Sequence, residues 1–189
     1  GEEVFSAWLL VPPALPAHAR LQRCIGRLAA RHGGPCFEPH VTLVPLVRGP
    51  AADVAAALAE WSRSAQPPQV AFRGVEHGDR YFQCVYLRAE TSAELEALHH
   101  GLRGALERAG CGVELANPEY MPHLSLMYGL EGAPAAEKAA VAAAVLREEG
   151  GEGFLREASF PAAEVGLYRL DPEDRSTQSW QRVACFPLG

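Results

Sequence analysis

Pro39-His40-Val41-Thr42-Leu43 and Pro122-His123-Leu124-Ser125-Leu126 are the two stretches on which the reading of this chain turns. Each runs proline, histidine, aliphatic residue, hydroxyl residue, leucine. Side chains alternate along a strand, so His40 and Thr42 share one face, as do His123 and Ser125. Val41, Leu43, Leu124 and Leu126 take the opposite face and read as core. The preceding prolines hold the backbone at a fixed φ, which helps to aim the imidazole that follows.

Working outward, the surroundings repeat as well. Phe5-Ser6-Ala7-Trp8-Leu9-Leu10 and a helical segment precede the first stretch, and Phe82-Gln83-Cys84-Val85-Tyr86-Leu87 and a helical segment precede the second. This is an internal repeat over roughly 4–47 and 81–128, set within a single domain spanning 1–189. Two strand–helix–strand copies suggest two similar lobes facing each other across a cleft, and two units are too few for a solenoid.

The remaining pattern is mixed α+β. Strands are expected at Val4–Val11, Phe37–Val47, Gln69–His77, Tyr81–Ala89 and Met121–Tyr128. Helices are expected at Ala17–His32, at Ala51–Arg63, from Thr91-Ser92 through the stripe Leu95, Leu98, Leu102 and Leu106, and at Ala135–Glu148. Gly33-Gly34, Pro67-Pro68, Gly110 and Gly150-Gly151 punctuate them. The tail offers three further strands, Phe154–Phe160, Glu164–Leu170 and Ser179–Phe186. Strands adjacent in sequence favour antiparallel pairing.

Hydrophobic residues make up 48% and charged residues 21% of the 189, the balance of a soluble globular protein rather than a disordered one. The apolar runs are too short and too broken by proline to span a bilayer, and no membrane association is expected. No secretory signal pattern is visible; Gly1 in place of Met suggests a trimmed or tagged chain, so a removed targeting segment is left open. A net charge of −6, with lysine only at Lys138, argues against gripping long nucleic acids, which need a basic stripe. The five cysteines have no CxxC spacing and are odd in number, so reduced thiols in a cytoplasmic protein are expected.

Two imidazoles and two hydroxyls suit phosphodiester hydrolysis. One neutral imidazole takes a proton from the attacking water, and one imidazolium gives a proton to the departing alkoxide. Histidine, with an ordinary pKa of about 6.5, supplies both states near neutrality. Thr42 and Ser125 can donate to the non-bridging phosphate oxygens as charge develops there. In a cyclic phosphate the attacking and departing oxygens lie on opposite sides of phosphorus, which matches histidines from opposite lobes. The symmetry of the repeat gives no preference for which is acid and which base. No metal ligand set and no cofactor are expected.

A single His-x-Thr in a strand is usually a core or surface histidine. Two copies, each after proline and inside a repeat, are a different matter. His18, His32 and His77 lack that context, and His99-His100 on a helix reads as a solvated or partly buried pair rather than a metal site. Trp8, Phe82 and Tyr128 can wall the cleft, though aromatic residues in strands are more often core. Strict alternation from His123 puts Tyr128 on the wrong face unless the strand twists, bulges or ends there.

The paired His40-x-Thr42 and His123-x-Ser125 resemble the signature of the two-histidine phosphoesterase superfamily. Longer strings, Phe5-Ser6-Ala7-Trp8, Phe37-Glu38-Pro39-His40-Val41-Thr42 and Tyr120-Met121-Pro122-His123-Leu124-Ser125-Leu126-Met127-Tyr128, look like its plant and fungal cyclic phosphodiesterases. Trp180-Gln181-Arg182-Val183-Ala184 fits too, so the similarity covers nearly the whole chain. The resemblance implies a bilobal α+β fold, two pseudo-symmetric antiparallel β-sheets flanked by outer helices around a central active-site cleft. It implies metal-independent hydrolysis of ADP-ribose 1″,2″-cyclic phosphate to ADP-ribose 1″-phosphate, downstream of tRNA splicing, and of nucleoside 2′,3′-cyclic phosphates to 2′-phosphates. His40, Thr42, His123 and Ser125 carry over as catalytic, and Trp8, Phe82 and Tyr128 as ligand-contacting. A cysteine that plant relatives place near Trp61–Ala65 is absent, so Cys185 lacks that disulfide partner.

Two other readings stand beside this one. An RNA-end-processing phosphoesterase of the same superfamily would want a basic groove, against the acidic charge. A non-catalytic nucleotide-binding module would have tolerated loss of one histidine, and both are present. The expected partner is a small cyclic nucleotide or ADP-ribose cyclic phosphate, bound by a monomer.

Overall fold

Prolines start and glycines stop most of the helices. The computed structural model describes residues 1–189. In chain order the elements are β1 (Glu3–Leu10), α1 (Pro16–His32), β2 (His40–Gly49), α2 (Ala51–Ser62), β3 (Gln69–Val70), β4 (Phe72–Arg80) and β5 (Gln83–Ala89). They continue with α3 (Ala93–Arg108), β6 (Gly112–Glu114), β7 (His123–Met127), α4 (Ala135–Glu149), α5 (Glu152–Ala158), β8 (Phe160–Pro161), β9 (Glu164–Arg169) and β10 (Gln181–Pro187).

Pro16 opens α1 where its missing N–H costs nothing, and Gly33 closes it at φ 73°, donating to the Ala29 carbonyl. Ala17, Leu21, Cys24, Ile25 and Leu28 are the buried stripe between those ends. Ser92 caps α3 by accepting from the Leu95 N–H at 3.2 Å.

The strands pair throughout as antiparallel neighbours in the order β10-β9-β1-β2-β7-β5-β4, with β6 on the far end of β2. β3 and β8 form a separate two-stranded piece. The two expected lobe sheets, β10-β9-β1-β2 and β7-β5-β4, are joined by one residue pair, Val41 with Leu124. Behind them the helices cross over: α1 lies against β7, and α3 lies against β2. One apolar cluster of 43 buried residues therefore runs through both halves.

The two halves share a ladder defect. Ala7 pairs with Val44 and Trp8 with Thr42, leaving Leu43 as an extra residue in β2. Val85 pairs with Met127 and Tyr86 with Ser125, leaving Leu126 extra in β7. These bulges align Trp8 with Tyr86, whereas matching Phe5 to Phe82 in the sequence sets Trp8 against Val85.

The tail differs from expectation at Phe154–Phe160. Residues Glu152–Ala158 are helical, with Phe154, Leu155 and Ala158 buried on one face. Gly150 and Gly151, at φ 109° and 66°, turn the chain straight into that helix, and only Phe160–Pro161 is extended. All five cysteines are free. No helix is long and apolar enough to cross a membrane.

Candidate active site

The first residue of β2 is His40 and the first residue of β7 is His123. The antiparallel Val41–Leu124 pair that joins the halves turns His40 toward Ser125 and His123 toward Thr42, with the two histidines on the diagonal. His40 Nδ1 donates to the Glu38 carbonyl at 2.7 Å, and His123 Nδ1 donates to the Met121 carbonyl at 2.9 Å. In each case the acceptor lies two residues back across a proline, whose fixed φ presents that carbonyl to the ring. With Nδ1–H committed, Nε2 of each neutral ring carries the free lone pair.

The histidines line one cavity of about 600 Å³, together with Thr42, Ser125, Trp8, Phe82 and Tyr128. All seven residues singled out in the sequence meet there. The bulge at Leu126 resets the alternation, and β7 ends at Met127, so Tyr128 comes round to the cavity side. Ser125 Oγ donates to the Phe82 carbonyl at 3.4 Å, a long bond that an anionic oxygen can outcompete.

Trp8 has no face left for a ligand. His40 lies flat on one side of its indole at 3.7 Å and Tyr168 on the other at 3.9 Å. Its Nε1 donates to Ser6 Oγ at 2.6 Å, which donates in turn to the Val44 carbonyl at 3.2 Å. Open aromatic surface comes instead from Trp180, edge-on to Tyr128 at 5.8 Å and tilted 36° to Phe82 at 6.1 Å. Tyr128 is itself stacked on Phe37 at 4.0 Å.

Further residues reach the cavity without having been anticipated. His99 is buried, 3% exposed, and donates Nδ1–H to the Leu43 carbonyl at 2.7 Å. Tyr120 stacks on His99 at 4.2 Å and donates its hydroxyl to the Thr42 carbonyl at 2.9 Å. Consecutive carbonyls of the β2 bulge are thus held from outside the sheet. A Leu-Glu-x-Leu-His pattern on a helix carries no sign of this; only the tertiary contact does. At the mouth, Arg175 is bidentate to Glu131 and lies over the Tyr81 ring at 4.9 Å, while Arg80 donates to Asn117 at 2.9 Å.

Burial pushes the His40 imidazole down to about 4, opposed by its bond to the Glu38 carbonyl and reinforced by the charge of His123. His123 is also lowered, by burial first and then by Arg88 and Arg80, against the Met121 bond and Glu76. Both rings are therefore neutral in the empty site at neutral pH. No group of three or more His, Cys, Asp or Glu is placed to hold a metal ion.

The profile of the 2′-5′ RNA ligase superfamily matches residues 11–174. The chain belongs to that superfamily, the two-histidine phosphoesterases. Over 189 residues it is 30% identical to an Arabidopsis thaliana protein named cyclic phosphodiesterase, covering 99% of this chain and 96% of that one. Its fold matches E. coli LigT complexed with 3′-AMP at a TM-score of 0.64 and 20% identity, over 100% of this chain and 99% of that one. A structure described as a phosphoesterase matches at 0.63 and 19% identity, over 100% and 99%. LigT has also been solved with ATP and with NADP+. The superfamily member described here thus carries its own two His-x-Thr/Ser segments at the centre of a fold shared with those proteins.

Proposed function

We propose that this protein is a cyclic phosphodiesterase that hydrolyses nucleoside 2′,3′-cyclic phosphates to 2′-phosphates and ADP-ribose 1″,2″-cyclic phosphate to ADP-ribose 1″-phosphate. The observation that carries the reading is the twin anchoring of His40 and His123, each with Nδ1 spent on a carbonyl and Nε2 left free, in one cavity with the Thr42 and Ser125 side chains. Water attacks phosphorus as one Nε2 takes its proton. The P–O bond opposite breaks, and the second imidazole, protonated, delivers its proton to that ring oxygen. Thr42 and Ser125 donate to the two non-bridging oxygens, whose charge grows in the transition state. Which imidazole serves as acid follows from which side of the cleft receives the departing oxygen.

The acid takes its proton from solvent as the substrate binds. A bound phosphate anion raises the pKa of both neighbouring imidazoles, so the ring nearer the leaving oxygen is charged in the complex although neutral in the empty site. The nucleobase rests against Trp180, Phe82 and Tyr128, in keeping with the small nucleotides bound by LigT.

Incubation with a nucleoside 2′,3′-cyclic phosphate and excess EDTA, followed by phosphorus NMR, tests this. The expected product is the 2′-phosphate at an undiminished rate. Loss of activity restored by a divalent ion, or formation of the 3′-phosphate, would refute the proposed chemistry.

A further inference from the structure

Four contacts around His40 close on themselves. His40 donates to the Glu38 carbonyl at 2.7 Å, and the Tyr168 hydroxyl donates to the Glu38 carboxylate at 2.8 Å. The Tyr168 ring lies on Trp8 at 3.9 Å and 23°, and Trp8 lies on His40 at 3.7 Å and 13°. One residue, Glu38, thus holds the imidazole by its main chain and the far aromatic ring by its side chain. His123 has no such enclosure: its neighbour Tyr86 is 5.0 Å away and tilted 59°.

The sequence of β9 is fitted to this arrangement. Trp8 stands opposite Gly166 in the ladder. A Cβ at Gly166 would come within 2.6 Å of Tyr168 Cε2 and 3.1 Å of Leu10 Cδ1. The tyrosine ring therefore leans back over a bare glycine to reach the indole, and any side chain there would push it off. Trp8, Leu10 and Tyr168 form a small buried cluster apart from the main core, on the cavity side of the sheet. Its packing is not needed to fill the space between sheet and helices.

We propose that Tyr168 is a positioning residue for His40: through Trp8 it fixes the plane of the imidazole, and through Glu38 it fixes the loop whose carbonyl sets the tautomer. It rests on the two-histidine reaction proposed above. A ring clamped between an indole and a backbone carbonyl keeps Nε2 aimed at one point, and misplacing a reacting group by an ångström costs heavily in rate. The same enclosure excludes water from His40. The charged and titratable groups around the circuit are Glu38, His123 from β7, Tyr168 from β9, and Arg182 and Cys185 from β10.

Three variants separate the parts. Tyr168→Leu removes ring and hydroxyl, Tyr168→Phe removes the hydroxyl alone, and Gly166→Ala displaces the ring, with its hydroxyl, while deleting no hydrogen-bonding atom. The expected result is a fall in kcat of ~10- to 100-fold in Tyr168→Leu with little change in KM, and smaller falls in the other two. Nitrogen-15 NMR of the imidazoles supplies a readout that needs no turnover: the His40 titration should rise from about 4 toward 6.5 in Tyr168→Leu and, less far, in Gly166→Ala. Wild-type kcat and an unmoved His40 titration in folded Tyr168→Leu would overturn the proposal. Should that variant not fold, an unmoved titration in both Tyr168→Phe and Gly166→Ala would do the same. A wild-type protein without hydrolase activity, but with a His40 titration that moves in the variants, would sink the proposed reaction and leave the positioning intact.

Discussion

The Tyr120 hydroxyl reaches the carbonyl oxygen of Thr42 at 2.9 Å, and the bond joins the loop before β7 to the residue expected to hold phosphate. Its neighbour His99 takes the next carbonyl, that of Leu43, so the β2 bulge is pinned at two successive positions. Thr42→Val is expected to lower kcat more than it raises KM, because its hydroxyl bond strengthens in the transition state. Tyr120→Phe should show the same signature more weakly. Combined, the two changes should cost less than the product of their separate effects, since both act on one hydroxyl. Independent effects in steady-state kinetics would detach Tyr120 from the site.

His40→Ala and His123→Ala should each reduce kcat by at least ~10²-fold, the low end for a lost general acid or base. The double variant should lose less than the product of the two, because both groups serve one transition state. Circular dichroism checks that each variant is folded. Near-normal turnover in either single variant would end the two-histidine mechanism.

The pH profiles of kcat/KM and kcat should not coincide. The first reports the free enzyme, where both imidazoles are pushed below 6.5, and the second reports the complex, where the phosphate anion draws them up. The bell for kcat is therefore expected on the alkaline side of the bell for kcat/KM, with apparent pKa values that belong to the pair. Binding of a product 2′-phosphate near pH 7 should take up protons, seen by calorimetry in buffers of different ionisation enthalpy. Coincident bells and no proton uptake would contradict the stated electrostatics.

Stability should fall on mild acidification. His40 has a folded value of about 4 against 6.5 unfolded, so between those values the unfolded chain binds more protons. Stability is then fully present above about 6.5 and is lost as pH falls toward 4, by up to about 3 kcal/mol from this group. His99 and His123 shift the same way. Urea melts at pH 7.5 and 5.0 measure the difference, and His40→Gln should flatten it while leaving the contribution of the other two.

A methyl group at Gly34 would sit 2.7 Å from the Tyr128 carbonyl. Backbone cannot yield as a side-chain tip can, so Gly34→Ala is expected to cost about 1–3 kcal/mol. Because the strain falls at the end of β7, it should also weaken ligand binding at Tyr128. A melt and a titration with 3′-AMP check both.

The histidine–hydroxyl pairs and the strands that bear them were legible because their signal is local: a proline, a period of two, and a second copy. The helix at Glu152–Ala158 was missed because seven residues hold too few turns to show a period. Residues such as Tyr168, Trp180 and His99 were not legible as site residues for a different reason. Each arrives from a distant element, and nothing in its own surroundings marks the contact. Leu43 and Leu126 look like ordinary strand residues, yet as bulges they decide which way Pro45 and Tyr128 face. Trp8 was legible as a cavity residue, but its two covered faces make it a support rather than a platform.

The exchange of helices between the halves, α1 on β7 and α3 on β2, has a consequence for how the chain comes apart. Each half, cut free, would keep a helix without its strand and a strand without its helix. Neither fragment should fold alone, whereas the two mixed together should recover structure. In the intact chain, denaturant should remove both halves in one cooperative step, reported alike by tryptophan fluorescence and by far-ultraviolet circular dichroism.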